Sequence, residues 1–551
     1  MEPLTKRENK MKSIIHVLVV LTIAFSWSIA LTRDVDGTPT VVLPKIIPAP
    51  VEMTFQTGCY MLSPKTVIVA RTEGERQVAK FLADRLSKTT GFDLRIAPRG
   101  TGITLRIADI PAGPEGYRLT ATSNGVEVVG QSARGLFWGC QSLLQLLPPE
   151  VYGEKQIRNA PWGVPAVTIK DEPCYPYRGM HLDAGRHFFT VAEVKKFIDY
   201  IAMHKMNTFH WHLTEDQGWR IEIKKYPKLT GVGSIRESSP QRGSHGKVQD
   251  GVQYGPFFYT QDQIRDVVAY AGERYIEVIP EIEMPGHSVA ALTSYPELGC
   301  TGGSYKVRTT WGVAEDVFCA GNEQTFKLLE GVIDEVCALF PSKYIHIGGD
   351  ECPKTRWNKC PKCQARMKSE NLKDAHQLQS YFVTRIEKYI NSKGKRIIGW
   401  DEIMEGGLAP NATVMAWRGA GAGIAAAKAG HDVIMTPSVS YFAFNESVSP
   451  GEPEGFRGPV TLAAVYQFDP AAGLTGPAAQ HILGSQGCCW SEYFHDFKMV
   501  EYNIHPRMSA LSEVLWTPKK NRDLNDFTSR FSTQMERLKA MGANYRDPAK
   551  P

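Results

Sequence analysis

From Tyr177 onward the chain repeats one pattern: a short β-branched or aromatic run, a loop, then apolar residues at helical spacing. The runs with strand character are YRGMHLDAG (177–185), MNTFHWHLT (206–214), YIEVIPEIEM (275–284), YIHIGGDE (344–351), RIIGWDEI (396–403), TVMAWR (413–418), HDVIMTPSV (431–439) and HILGSQGCCW (481–490). Eight strands that alternate with helices over about 340 residues predict an α/β fold of the (β/α)8, or TIM barrel, type. We place this barrel domain at residues 173–520 and a C-terminal helical tail at 521–551.

Residues 40–172 show a different pattern, in which short strands alternate with turns. Two helices are predicted here, at 75–91 and at 133–147, and Pro148-Pro149 ends the second. The arrangement indicates a small α+β domain with helices over a mostly antiparallel sheet. This domain contains no cluster of catalytic residue types.

The run YIHIGGDE ends an apolar strand with two adjacent carboxylates, Asp350 and Glu351. Gly348-Gly349 permits a tight turn before them. A carboxylate near an apolar strand is costly unless it is paired or used, so this pair is a candidate for catalysis. The alternative is structural, with Asp350 capping the next turn and Glu351 in a salt bridge.

Active sites of TIM barrels lie at the carboxyl ends of the strands. The predicted ends hold mainly carboxylates, with histidines, arginines and aromatic residues: Asp183, Arg186, His187, His212, Glu215, Asp216, Trp219, Glu281, Glu283, His287, Asp350, Glu351, Trp400, Asp401, Glu402, Trp417, Arg418, Tyr441, Trp490 and Glu492. Carboxylates transfer protons and bind hydroxyl groups, and aromatic faces pack against sugar rings. The set predicts a glycosidase pocket.

One competing enzyme class shares the barrel. His210 and His212 form an H-x-H pair on one face of a strand, and such a pair binds metal in metal-dependent amidohydrolases. No matching Lys or His set follows at later strand ends, so we expect hydrogen-bonded barrel residues and neither a metal nor another cofactor.

The N-terminus has the pattern of a secretory signal peptide, which we place at 1–30. Basic residues precede the apolar run 14–26, and Ser28-Ile29-Ala30 supplies a small-x-small cleavage site. The expected location is therefore outside the cytoplasm: periplasmic, cell-surface or secreted. An uncleaved membrane anchor is the alternative. No second apolar span follows.

The chain has 11 cysteines, and export permits disulfides. Cys300 and Cys319 bracket a Gly-rich loop and are the preferred disulfide pair. Cys352, Cys360 and Cys363 follow the acidic pair and contain a single C-x2-C. As zinc ligands they need a fourth partner, so a loop disulfide is favoured over zinc.

The motifs RGMHLDAGRHF, NTFHWHLTEDQGWR, EIEMPGH, HIGGDE, GW-DE and W-S-E occur together and in this order. They resemble glycoside hydrolase family 20, the β-N-acetylhexosaminidases, from about Val41 to Trp516. The resemblance implies an exo-acting, retaining enzyme without a cofactor that removes terminal β-linked GlcNAc or GalNAc from glycans. The net charge of +5 is spread along the chain, so a nucleic-acid partner is not expected. Oligomeric state stays open.

The family is a substrate-assisted exception among retaining glycosidases. The substrate's 2-acetamido oxygen attacks the anomeric carbon and an oxazolinium ion forms. By resemblance, Glu351 is the general acid and then the base. Asp350 binds the acetamido N–H and stabilises the developing positive charge.

The other roles follow by the same resemblance. Arg186 matches the arginine that binds O3 and O4 of the sugar. Glu215 is linked to the catalytic carboxylates through His287, which is expected to raise the pKa of the acid. Residues that match the remaining substrate contacts are Trp400, Trp417 and Trp490 around the acetamido group, Tyr441 on its oxygen, and Glu492 on O4 and O6.

One position departs from the family. Two residues after Tyr441 the family has Asp or Asn, but here Ala443 stands in that place. Weaker substrate binding or a relaxed choice between the C4 epimers is expected, unless Asn445 takes the role. Two further alternatives are a carbohydrate-binding protein without turnover and an enzyme that releases a disaccharide, as lacto-N-biosidases do.

Overall fold

The computed structural model describes residues 31–33, 39–41, 44–158, 160–456 and 458–548. They form two compact units. The first comprises the described residues up to Ile46, Pro50–Glu172 and Thr528–Gly542, and the second comprises Ile47–Ala49, Pro173–Phe527 and those from Ala543 onward. The predicted signal peptide, 1–30, lies outside the described residues.

The first unit is an α+β domain. Its elements in chain order are β1 (Leu31–Arg33), β2 (Pro39–Val41), β3 (Glu52–Met61), β4 (Val67–Val69), α1 (Glu73–Thr90), β5 (Ile96–Ala97), β6 (Gly102–Ile107), β7 (Tyr117–Thr122), β8 (Gly125–Gly130), α2 (Ala133–Leu146) and β9 (Gly163–Asp171). A capping box begins α1, since Thr72 accepts from the Glu75 N–H and Glu75 accepts from the Thr72 N–H. Both predicted helices are confirmed within two residues at each end.

The seven-stranded sheet of this unit has the order β3-β9-β7-β8-β6-β4-β5. The β3–β9, β9–β7 and β7–β8 pairs are antiparallel, whereas β8–β6, β6–β4 and β4–β5 are parallel. The prediction of a mostly antiparallel sheet is therefore wrong for half of the strand pairs, which are parallel. The reason is that α1 is a crossover connection between β4 and β5, and β7 lies between β6 and β8 in the chain, so each connection returns the chain to the sheet in the same direction.

The second unit contains the barrel. Its strands in chain order are β10 (Tyr177–Asp183), β11 (Thr208–His212), β12 (Thr214–Glu215), β13 (Gly218–Trp219), β14 (Glu277–Glu281), β15 (Tyr344–His346), β16 (Arg396–Trp400), β17 (Thr413–Ala416), β18 (Val433–Met435) and β19 (Ile482–Cys489). All but the short β12–β13 hairpin close into one eight-stranded parallel barrel in chain order. The barrel closes where β10 pairs with β19, and the predicted TIM barrel is confirmed.

Helices alternate with these strands. They are α3 (Val191–Met203), α4 (Lys228–Gly231), α5 (Gln261–Gly272), α6 (Val289–Ser294), α7 (Glu323–Leu339), α8 (Thr355–Lys359), α9 (Pro361–Ser369), α10 (Ala375–Ser392), α11 (Ala420–Lys428), α12 (Leu462–Gln467), α13 (Pro477–Gln480), α14 (Phe497–Ile504), α15 (Arg507–Trp516) and α16 (Leu524–Ala540). Short 3-10 helices span Pro149–Tyr152, Pro296–Leu298, Asp401–Met404, Ser438–Ser440 and Lys519–Asn521. Capping boxes begin α3, with Thr190 and Glu193, and α5, with Thr260 and Gln263. Within the described part of the chain, none of the helices has the length and apolar composition to cross a bilayer.

The C-terminal segment differs from the separate helical tail that the sequence indicated. Most of α16 belongs to the first unit, because Thr528–Gly542 lie there. Phe531 and Leu538 are buried, and the Arg537 guanidinium donates to the backbone oxygens of Lys45 and Gln145. The helix is thus part of the core of the α+β domain.

The predicted disulfides are absent from the structure. Cys300, Cys319, Cys352, Cys360 and Cys363 all carry free thiols. The loop disulfide favoured among Cys352, Cys360 and Cys363 is therefore wrong, as is the Cys300–Cys319 bond. Both followed from proximity in sequence, whereas these thiols are arranged by contacts between distant segments.

Candidate active site

The parallel strands bring carboxylates and aromatic side chains to one end of the barrel. All ten predicted site residues lie at strand ends or in the loops that follow: Arg186, Glu215, His287, Asp350, Glu351, Trp400, Trp417, Tyr441, Trp490 and Glu492. Glu351 is exposed, three aromatic residues are partly buried, and the rest are buried. These residues therefore line one pocket, and the Glu351 carboxylate at its rim faces solvent.

A tight turn after β15 carries Asp350 and Glu351. Gly348 and Gly349 have φ values of +67° and +96°, and Glu351 itself has a φ of +41°. A side chain on Gly348 would overlap the Glu283 carboxylate, and one on Gly349 would lie 2.5 Å from Ile403 Cγ2. The glycine pair is therefore required for this turn. The turn continues with a strained backbone at Glu351, and this conformation directs the Glu351 side chain toward the pocket opening.

His287 connects the carboxylates of two other loops. Its Nε2 lies 3.4 Å from Glu351 Oε2 and 3.7 Å from Asp350 Oδ2. Its Nδ1 lies 3.1 Å from Glu215 Oε1 and 3.4 Å from Asp216 Oδ2. Burial lowers the pKa of His287, but the surrounding carboxylates, Glu215 first, raise it well above its usual range. The imidazole is therefore held protonated at neutral pH.

The two adjacent carboxylates have opposite pKa shifts. A hydrogen bond from His287 lowers the pKa of Glu351. Burial raises the pKa of Asp350 to about 6, although the positive charge of His287 opposes this. The expected rise in the pKa of Glu351 is wrong, because the histidine beside it is itself charged.

Arg186 holds a second group of carboxylates and shares Glu215 with His287. Its Nη2 lies 2.6 Å from Glu215 Oε1 and 3.9 Å from Glu492 Oε1, and its Nη1 lies 3.3 Å from Asp183 Oδ2. Burial raises the pKa of Glu492 to about 7, while Arg186 acts against this rise. Glu492 Oε2 and Asp350 Oδ1 are buried without a hydrogen-bond partner in the described part of the chain. Both are acceptors available to a ligand.

The aromatic residues form two pairs beside these carboxylates. Trp400 and Trp490 have ring centroids 5.6 Å apart, and Trp417 stacks near Tyr441 at 6.2 Å. The Trp417 Nε1–H donates to Glu402 at 2.9 Å, which fixes the orientation of its ring. The rings present apolar surface, and Trp417 lies against the Glu402 carboxylate, a combination typical of sugar-binding pockets.

A polar layer lies in the barrel below the pocket. We call it the Glu281 layer: Glu281, His210, His212, His346 and Trp400. Glu281 lies 2.9, 2.5 and 2.8 Å from nitrogens of His210, His212 and His346, and it accepts from the Trp400 Nε1–H at 2.8 Å. Burial raises the pKa of Glu281, but the three imidazoles hold it well below its usual range.

The predicted hydrogen-bonded role of the H-x-H pair is thus confirmed. The sequence reasoning missed His346, and it listed Glu281 without a role. The available signal was register: His212, Glu281 and His346 are paired in sequence across adjacent strands at one level of the barrel. The alternation of polar and apolar residues along barrel strands is the sequence pattern that would have identified His346 and Glu281 as interior residues.

Comparison with known proteins agrees with this geometry. Residues 175–519 match the family described as "Glycosyl hydrolase family 20, catalytic domain", and residues 43–172 match "Glycosyl hydrolase family 20, domain 2". The chain belongs to glycosyl hydrolase family 20. A family-20 relative, the beta-hexosaminidase of Porphyromonas gingivalis, is 47% identical over 511 residues. That match covers 91% of this chain and 64% of the relative, so the chain spans under two thirds of that protein.

Solved structures of β-N-acetylhexosaminidases match more than nine tenths of the chain. The beta-N-acetylhexosaminidase of Streptomyces coelicolor A3(2) superposes with a TM-score of 0.81 at 33% identity, covering 93% of this chain and 99% of that one. The Streptomyces plicatus N-acetyl-beta-hexosaminidase in complex with Thio-NAglucal gives 0.81 at 33% identity, covering 94% and 99%.

Proposed function

We propose that this family-20 chain is an exo-acting, retaining β-N-acetylhexosaminidase that releases terminal β-linked GlcNAc or GalNAc from glycans. The observation that carries this is the position of the two carboxylates. Asp350 and Glu351 both lie within 3.7 Å of the same nitrogen, His287 Nε2, so they approach a bound sugar from one side. A protein nucleophile would have to lie across the scissile bond from the acid. The nucleophile is therefore supplied by the substrate's 2-acetamido oxygen.

Glu351 is the general acid in this proposal. Its side chain is 39% exposed and that of Asp350 is 12% exposed, so Glu351 faces the solvent side where the leaving group departs. The proton comes from His287, whose Nε2–H points to Glu351 while Glu215 holds Nδ1–H. When a sugar excludes water from Glu351, the carboxylate becomes more basic and takes this proton. It then passes it to the glycosidic oxygen.

Asp350 acts on the acetamido group. Its unpaired buried oxygen, Oδ1, accepts the acetamido N–H, and its negative charge stabilises the oxazolinium ion as it forms. The aromatic pairs, Trp400 with Trp490 and Trp417 with Tyr441, enclose the acetamido methyl group. The Tyr441 hydroxyl donates to the acetamido oxygen. Glu351, left ionised, then activates the water that opens the ring.

The far end of the sugar meets Arg186 and Glu492. The Arg186 guanidinium donates to O3 and O4, and the unpaired Oε2 of Glu492 accepts from the hydroxyls on C4 and C6. Because Glu215 and Asp183 bind the same guanidinium, its plane is fixed before the substrate arrives. Recognition of the terminal hydroxyls favours an exo-acting enzyme.

The test is hydrolysis of 4-nitrophenyl β-GlcNAc and β-GalNAc by wild type and by Glu351→Gln. We expect kcat to fall about 10²- to 10⁴-fold in the variant, the usual contribution of a positioned general acid. A thiazoline analogue of the oxazolinium intermediate should inhibit the wild type competitively. Glu370→Gln, which changes a partly exposed carboxylate in an ion pair with Arg366, is the matched control and should keep full activity.

Two outcomes would contradict the proposal. Full activity of Glu351→Gln would remove the assigned acid, and indifference to the thiazoline would remove the acetamido nucleophile. If neither monosaccharide glycoside is hydrolysed, release of a disaccharide from lacto-N-biose glycosides would favour the disaccharide-releasing alternative. Tight sugar binding without any turnover would favour a binding protein.

We further propose that the protein is exported. The support is the basic, apolar and small-x-small sequence of residues 1–30. N-terminal sequencing of protein from the native host should begin just after Ala30. An N-terminus that retains the apolar run in a membrane fraction would favour the anchor instead.

A further inference from the structure

Four cysteines from distant parts of the chain converge outside the glycosidase pocket. They are Cys300, Cys319, Cys360 and Cys363, and their sulfurs all lie within 4.8 Å of one another. The Sγ–Sγ distances are 3.8 Å for Cys300–Cys363, 3.7 Å for Cys319–Cys360 and 3.6 Å for Cys319–Cys363. Cys319, Cys360 and Cys363 are buried, and Cys300 is half-buried.

These distances distinguish between two kinds of cysteine site. Sulfurs in a disulfide are about 2.0 Å apart. In a tetrahedral zinc site with Zn–S bonds of about 2.3 Å, sulfurs lie about 3.8 Å apart along each edge. The observed separations agree with the edges of a tetrahedron and leave room for an ion at its centre.

The backbone holds each ligand pair separately. Gly299 pairs with Phe318 in an antiparallel bridge, and the Cys319 N–H donates to Leu298 at 2.8 Å. This bridge places Cys300 and Cys319 side by side at its end. The second pair begins helix α9, where Cys360 is the N-cap and Cys363 lies in the first turn. The positive end of a helix dipole stabilises thiolates at these positions.

The two cysteine pairs pack closely against each other at Gly321. A side chain there would overlap the backbone of Lys362 and Cys363, between the two ligands of the C-x2-C. The Gly321 N–H donates a hydrogen bond to the Cys319 sulfur. An N–H donated to a ligand sulfur is a common outer contact of metal thiolates.

We propose that Cys300, Cys319, Cys360 and Cys363 bind one Zn²⁺ as a closed structural tetrathiolate site. Four protein ligands complete the tetrahedron, so no coordination position is left for water or substrate. Binding displaces the remaining thiol protons to solvent and involves no change of oxidation state. The structure supplies the two ligands, Cys300 and Cys319, that the single C-x2-C lacked in sequence, whereas Cys352 is not part of this group.

The site joins the two loops that carry the catalytic residues of the proposed function. The Phe318 N–H donates to the Pro285 carbonyl at 3.0 Å, two residues before His287. The Trp357 Nε1–H, from the segment after Glu351, donates to the Phe318 carbonyl at 2.9 Å. Zinc between Cys319 and the pair at Cys360 and Cys363 therefore fixes the loop of His287 against the loop of Glu351.

The first test measures metal and thiols in the whole protein, purified without a metal-affinity step. Mass spectrometry under native conditions and elemental analysis should give about one zinc per chain after dialysis. The mass of the denatured, unreduced protein should be that of the fully reduced chain at all four positions. Zinc-free protein with two disulfides among these cysteines would overturn the proposal.

The second test uses Cys319→Ser and Cys363→Ser, with Cys337→Ser as control. Cys337 is a half-buried cysteine of α7 that is not part of the cluster. Loss of an outer contact alone weakens metal affinity 10- to 100-fold, so loss of a ligand should lower it by about 100-fold or more. The control should keep its zinc, and ligand variants that retain full zinc would overturn the proposal.

A spectroscopic readout covers ligand variants that fail to fold. Wild type produced with Co²⁺ in place of zinc should show sulfur-to-cobalt charge transfer and the visible bands of a tetrahedral thiolate. A mercurial reagent should release the metal from unsubstituted protein in proportion to about four thiols. Octahedral bands, or release with no thiols consumed, would overturn the site. Because hydrolysis is not measured, failure here is distinguishable from failure of the proposed function.

Discussion

Replacing Asp350 with Asn should make the protein more stable at neutral pH while removing most of its activity. The carboxyl group is buried at the base of the pocket, where burial raises its pKa from 3.8 to about 6. The charges of Glu281 and Glu351 also favour the neutral form, and the charge of His287 opposes them. An ionised Asp350 is therefore unfavourable in the folded protein.

The sign and size of this change in unfolding free energy follow from the linkage between proton binding and folding. The unfolded chain releases this proton near pH 3.8 and the folded protein near pH 6, so stability falls as pH rises through that window. A difference of one in pKa corresponds to about 1.4 kcal/mol, which gives about 3 kcal/mol lost above pH 6. Asn has nearly the same shape and no charge, so the variant avoids this loss.

The assay is thermal unfolding of wild type and Asp350→Asn at pH 7 and at pH 4. For a barrel of this size, 3 kcal/mol corresponds to a rise in Tm of about 4 °C at pH 7. At pH 4 the folded wild type is itself protonated, so the difference should nearly disappear. Asp262→Asn changes an exposed carboxylate of the same unit and is the control, with no shift of this size at either pH.

The reasoning is refuted by an Asn variant that is no more stable than wild type at pH 7, or by an equal gain at both pH values. Hydrolysis must fall in the same variant, because the neutral amide does not stabilise the oxazolinium ion. A stable and fully active Asp350→Asn would contradict the proposed role as well.

Three further changes test the pocket. His287→Gln should lower kcat/KM about 10²-fold for 4-methoxyphenyl glycosides but far less for 2,4-dinitrophenyl glycosides, which need no proton; equal losses would contradict the proton transfer to Glu351. Ala443→Asp should change the ratio of kcat/KM between GlcNAc and GalNAc glycosides, and an unchanged ratio would show that this position does not contact O4. Arg186→Met should destabilise the protein by about 3–5 kcal/mol in denaturant unfolding, because Asp183 and Glu215 lose a buried partner. A loss below about 1 kcal/mol would show that the pair is solvated.

The sequence predicted the barrel well because each strand and helix is encoded locally. The capping boxes at Thr190 and Thr260 lie where the helices begin, and all eight strand runs contain the observed strands. Placement of the ten site residues followed from the fold alone, since parallel strands share one carboxyl end. The half-parallel sheet of the first unit was not foreseen, because strand direction depends on the path of α1.

The properties that depend on distant neighbours were not accessible in this way. Glu351 has a lowered pKa chiefly because of the hydrogen bond from His287, whose own pKa is raised by Glu215 and Asp216 from another loop. The four cysteines lie in three separate stretches of sequence, so spacing indicated a disulfide where contacts indicate a metal. Charge and coordination are determined by groups that meet only after folding.

The Glu281 layer has a consequence for engineering the substrate range of this enzyme. Its imidazoles and indole share one carboxylate, so replacing any single member leaves a buried polar group without its partner. A library that randomises these positions one at a time would yield mostly insoluble clones, whatever substrate is selected. Loop positions such as Ala443, by contrast, are not hydrogen-bonded to this layer, and new aglycone or epimer preferences should be sought there.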